Sequence, residues 1–151
     1  MKNEAEITDY IAKNFAGVSV TSAPGGSFYF YNPTNSPDNR RFPFATVVIN
    51  DDYDQASQLG REGVFRLNVN VSKETFHKLF GDPPTKTGTN GTAAAIRDFT
   101  ALDTLLPHPV YAAQWWVSVL NPADATLETA KQLLAEAYEI AVQKFNKHAN
   151  L

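Results

Sequence analysis

The segment Val64 to Val71 reads Val-Phe-Arg-Leu-Asn-Val-Asn-Val. Phe65, Leu67, Val69 and Val71 fall on one parity; Arg66, Asn68 and Asn70 fall on the other. A period of two is the signature of a half-buried strand, with one face turned to a core. Something must cover that face. The last third of the chain supplies it: Leu127, Ala130, Leu133, Leu134, Ala137, Ile140, Ala141 and Phe145 repeat at helical spacing as one apolar stripe. The pairing predicts an internal strand with Phe65, Leu67 and Val69 packed under a helix over Leu127–Phe145. Thr126 reads as its cap, with Glu128 in the first turn and Lys144 and Lys147 near the end, where they complement the helix dipole.

The remaining segments extend this frame. Ile7, Ile11 and Phe15 recur every four residues before Gly17, which predicts a short amphipathic helix. Val18 and Val20 begin an extended segment, and Pro24-Gly25-Gly26 marks a turn. Phe28 to Tyr31 is an aromatic strand, and Phe44 to Ile49 a β-branched one. Ser72 is placed to cap a helix over Lys73–Phe80 that turns Phe76, Leu79 and Phe80 to the core and ends at Gly81 and Pro83-Pro84. Residues 85–92 are small and polar and read as a mobile loop. A helical turn is expected over Asp98–Leu105, and one or two strands over Val110–Leu120.

Helix, strands, helix, strands, helix is the resulting order. The connections between strands are mostly too short for helical crossovers, so the sheet should be largely antiparallel. The fold class is therefore α+β: two layers, with the helices on one face of the sheet. A chain of 151 residues makes one domain, 1–151, with a core of its own. With no cysteine there is no disulfide framework, thiolate metal site or cysteine nucleophile. The polar N-terminus carries no secretory signal and no apolar run reaches membrane length, so a cytoplasmic location is expected. A formal net charge of -3 argues against a general attraction to nucleic acid.

Several motifs carry a family resemblance: Phe42-Pro43-Phe44-Ala45-Thr46, Tyr53-Asp54-Gln55-Ala56-Ser57, Gly63-Val64-Phe65-Arg66-Leu67-Asn68, Leu106-Pro107-His108-Pro109-Val110-Tyr111 and Leu120-Asn121-Pro122. Over nearly the whole chain these resemble an uncharacterised bacterial family, the domain-of-unknown-function family numbered 6194. The family implies no activity. At greater distance the order of elements is similar to MmcQ/YjbR-like domains, whose sheet-and-helix fold also occurs in type III secretion chaperones and which are often labelled DNA-binding. That likeness concerns fold, and function has to be argued from the site.

His108 has the most motif-like context of the three histidines, because prolines on both sides fix its backbone. Asp103 is near enough in sequence to orient the imidazole, as acid–base chemistry requires. The plain alternative is a turn residue that binds backbone or packs on an aromatic ring. Arg66 points away from the apolar face of its strand, which makes its guanidinium available for a carboxylate or phosphate, with Arg61 nearby; pairing with an aspartate is the competing reading. Tyr111 adds a ring and a hydroxyl. Trp115 and Trp116 are adjacent, so a strand would send them to opposite faces, one into the core and one to a surface. Asp51, Asp52 and Asp54 lack the ligand spacing of a calcium loop, and residues 87–92 lack the lysine of a phosphate-binding loop. No metal or cofactor is expected.

Three function classes follow. The first is a non-catalytic domain that binds a small anionic or aromatic ligand, or a protein, through Arg61, Arg66, Asp103, His108, Tyr111 and Trp115. The second is an enzyme that uses His108 with Asp103 and Arg66. The third is a nucleic-acid binder, opposed by the acidic balance.

Overall fold

In a computed structural model the structure describes residues 3–35, 42–82 and 97–149. Helix α1 is Glu4–Asn14; strands β1 and β2 are Val18–Ala23 and Gly26–Tyr31; β3 is Ala45–Val48 and β4 is Arg66–Asn70; helix α2 is Lys73–Phe80; β5 is Leu105–Pro107 and β6 is Trp116–Leu120; helix α3 is Asp124–Ala149. The strands form one six-stranded sheet in the order β1-β2-β3-β4-β6-β5, and every neighbouring pair is antiparallel. The α+β expectation holds.

Each helix starts where a side chain satisfies a free backbone donor. Asn3 accepts from the Glu6 N–H at the start of α1, and Ser72 accepts from the Thr75 N–H at the start of α2. Glu136, on α3, adds a carboxylate to the same end of α2, accepting from the Ser72 N–H at 2.9 Å and the Thr75 hydroxyl at 2.6 Å. Gly81 closes α2 at φ 79, a left-handed value that costs glycine little. Gly26 is needed for a different reason: a Cβ there would stand 2.0 Å from the Val47 carbonyl oxygen.

All three helices share one core on one face of the sheet. Ile7 and Ile11 of α1, Phe76 of α2 and Ala130, Leu133, Leu134 and Ala137 of α3 pack with Phe65, Leu67, Val69, Val117 and Val119. The sheet residue Leu67 lies opposite Val47 on one side and Val119 on the other, at the centre of that face. Among the described residues no helix is long and apolar enough to cross a membrane.

Some boundaries differ from expectation. The turn expected over Asp98–Leu105 is confined to its start, where the Ala101 N–H donates to the Asp98 carbonyl; Leu102 then makes a single bridge to Leu120 and the chain enters β5. Val110–Leu120 contributes one strand preceded by a 3₁₀ turn at Ala112–Gln114, because Pro109 and the His108 hydrogen bonds close a turn first. Helix α3 begins at Asp124, ahead of Thr126; the Ala123 carbonyl accepts from Thr126 and Leu127, and the Ala123 N–H is taken by Asp103. Residues 85–92 lie outside the described residues.

Candidate functional site

The face of the sheet opposite the helices carries a buried polar cluster. Thr46, Asn68 and Ser118 are in register across β3, β4 and β6, and Arg66 is one pleat away on the same face. Asn68 donates from Nδ2 to the Thr46 hydroxyl at 3.0 Å and accepts from the Ser118 hydroxyl at 2.7 Å. Arg66 Nε donates to the Asn68 amide oxygen at 3.0 Å. The guanidinium then meets the acidic loop: Nη1 donates to Asp54 Oδ1 and to the Ser57 hydroxyl, each at 3.0 Å, and Nη2 donates to Asp54 Oδ2 at 2.7 Å. Two parallel bonds to one carboxylate are the strong, geometrically specific form of this pair.

The loop between β3 and β4 is thereby pinned over the sheet. Leu59 seats against Val48 and Leu120 beside the cluster. Asp51 accepts from the Leu59 N–H, and Asp54 also accepts from the Ala56 N–H. The aspartates thus fold the loop, and among the described residues no group of histidines and carboxylates is gathered as a metal site. The hydrogen bonds from Arg66 hold the Asp54 carboxyl below the ordinary range, against the opposing effect of burial.

His108 lies at the end of β5, close enough to this pair to feel both charges. Its backbone N–H donates to the Trp116 carbonyl. Its Nδ1 accepts from the N–H groups of Val110 and Tyr111, each at 3.0 Å, so the proton of the neutral ring sits on Nε2. Burial, reinforced by Arg66 and offset in part by Asp54, pushes the imidazole down to about 3. Among the described residues Nε2 makes no hydrogen bond, and the residue as a whole is buried, 5% exposed. The ring is flanked by Tyr111, centroid to centroid 5.0 Å, and by Trp116 at 6.4 Å. Tyr111 is exposed and Trp116 half-buried.

The six residues singled out from sequence separate accordingly. Arg66, His108 and Tyr111 belong to one neighbourhood. Arg66 is not available to a ligand as expected: it is 1% exposed and its fork is occupied by Asp54, Asn68 and Ser57. Asp103 does not orient His108; its carboxylate accepts from the Ala123 N–H at 2.9 Å and ties the β5 approach to the start of α3. Arg61 clamps two loops by donating to the carbonyls of Ser57, Gln58 and Thr100. Trp115 goes to the helix layer, against Phe76 and His77, and Trp116 is the tryptophan beside His108. His77 is half-buried there. The competing reading gave Arg66 an aspartate partner, and that aspartate is Asp54; Ser57 and Asn68, its other partners, and Ser118, which donates to Asn68, were not read from the sequence. Ser118 was the available signal, a hydroxyl in the middle of the otherwise apolar Trp-Val-Ser-Val-Leu strand.

A family model described as "Family of unknown function (DUF6194)" matches residues 1–150. The chain belongs to that family. No curated protein and no solved structure gives a match. The family carries no activity with it, so the chemistry of the His108 neighbourhood has to speak for itself.

Proposed function

We propose that the chain is a non-catalytic binding domain, and that it takes a small ligand or a peptide segment at the surface formed by His108, Tyr111 and Trp116. The observation that carries this reading is the His108 imidazole. Two backbone amides occupy Nδ1, burial keeps the ring neutral, and among the described residues Nε2–H has no partner. Such a group is a fixed hydrogen-bond donor. A general acid or base works best with a pKa near the operating pH, and an imidazole at about 3 is far from it. The enzyme reading also loses its orienting group, since Asp103 is engaged at Ala123.

The electrostatics favour an uncharged acceptor over an anion. Arg66 is neutralised by Asp54 within the cluster and His108 adds no charge. The ligand that fits has a carbonyl or ring-nitrogen acceptor for Nε2–H and a flat apolar part for the Tyr111 and Trp116 rings. Nucleic acid finds no free cation in the Arg66 pair to meet its phosphates.

The test is a fragment screen by amide chemical-shift mapping, with Tyr111→Ala as the comparison protein. Tyr111 is 54% exposed, so its removal should leave the fold intact. Fragments that shift Trp116 and His108 should bind about tenfold more weakly to the variant, the size of one lost aromatic contact. Fragments that map elsewhere, or that ignore the substitution, would show that this surface is not the site.

A further inference from the structure

The two edges of the sheet are finished differently. β5 is three residues long and contains Pro107. β1 runs for six residues, Val-Ser-Val-Thr-Ser-Ala, in unbroken register with β2 from Val18 opposite Tyr31 to Ala23 opposite Gly26. It has no charge, no proline and no bulge, which are the devices that keep an edge strand from pairing. Val20, Thr21 and Ser22 at its centre are exposed.

The ladder decides which groups face outward. Tyr29 turns its carbonyl to β3, accepting from the Phe44 N–H at 2.9 Å, and Gly17 accepts from Asn32 at 2.8 Å. Antiparallel strands alternate between pairs bonded to each other and pairs turned away. Val20, opposite Tyr29, therefore directs its N–H and C=O away from β2, as do Val18 and Ser22. Among the described residues nothing bonds these outward groups.

We infer that β1 is the interface between two copies of this chain, joined antiparallel about a twofold axis at Val20 so that the two sheets become continuous. The outward groups are symmetric about that residue. Val20 pairs with the partner's Val20, and Val18 with the partner's Ser22, each as a hydrogen-bonded pair. Ser19 lies opposite the partner's Thr21. Every side chain brought face to face is small and uncharged, so no like charges meet across the axis. Each surface complements itself, as a twofold interface requires. Val20 lies on the helix face with Tyr29, where it is 37% exposed, and its twin would cover it.

Mass measurement by light scattering at high micromolar concentration should give twice the 16.6 kDa of one chain. Val20→Pro removes the outward donor at the axis and leaves the ladder to β2 untouched, because Val20 bonds nothing there; it should be monomeric. Val20→Lys does the same by placing like charges on the axis, and serves if the proline variant does not fold. The chain has no cysteine, so Val20→Cys can be read cleanly. A hydrogen-bonded antiparallel pair holds its Cα atoms about 5.5 Å apart, within disulfide reach, so mild oxidation should give a covalent dimer. Thr21→Cys, out of register with its own copy, should crosslink far more slowly. A monomeric wild type, including one that captures an extended peptide along β1, would overturn the inference. So would a dimer that survives both Val20 substitutions, or equal crosslinking at the two cysteines.

Discussion

Arg66 and Asp54 face each other through two parallel hydrogen bonds of 3.0 Å and 2.7 Å, with the arginine side chain 2% exposed and the aspartate 14%. The pair joins a strand to a loop twelve residues earlier, so it decides where the acidic loop lies. Removing one partner leaves the other buried and unpaired. Asp54→Ala should cost about 3 kcal/mol, the low end for breaking a buried pair because the carboxylate keeps a margin of solvent. Urea denaturation measures this directly. A loss no larger than that of an exposed pair would mean that the bonds seen here contribute nothing net.

Acid should destabilise the fold through two groups, His108 first and Asp54 as the pH falls further. The His108 imidazole falls from its usual 6.5 to about 3 in the folded state. Between those values the unfolded chain binds a proton that the folded chain refuses, so stability drops as pH falls through that range, by about 1.4 kcal/mol per unit from this group. Asp54 has the opposite ionic form and a lowered pKa. Its contribution is present above the ordinary carboxylate range and is lost as pH falls through the depressed value. His108→Asn, whose side-chain oxygen can still accept from the turn amides, should flatten the upper range and leave the lower one in place. Denaturation curves at a series of pH values would show an unchanged slope if His108 were not held neutral.

Leu67 is 1% exposed at the centre of the sheet face beneath α3, opposite Val47 and Val119. Leu67→Ala should destabilise by about 2–5 kcal/mol through lost burial and the cavity left behind. A measured change below about 1 kcal/mol would contradict the packing.

Asp103 is exposed and sits at φ 54, with its carboxylate on the Ala123 N–H at the head of α3. Asp103→Ala should cost about 1 kcal/mol, the usual loss for a helix-start acceptor. It should leave the pH dependence assigned to His108 unchanged. If the substitution altered that pH profile, the aspartate would be acting on the imidazole after all.

The alternation of Phe65 to Val71 and the apolar stripe of α3 determined, by themselves, a strand under a helix, because burial of a patterned face is a local property that the chain displays in its own spacing. The Ser72 cap and the Pro24-Gly25 turn were legible for the same reason, since backbone geometry restricts which residues can stand there. The motif containing His108 was also visible as a rigid turn. What Arg66 does was not. Its position on the polar parity of β4 says that it leaves the helix core, and in an isolated strand that would mean solvent. Only the folded chain shows a second layer on that side, made by a loop with no periodicity, so the guanidinium is buried and bound to Asp54. Likewise only the tertiary structure sent Trp115 to α2 and Trp116 to His108, and gave Asp103 to α3. Each depends on which distant backbone groups lack partners after the sheet has formed, and that accounting exists only in three dimensions.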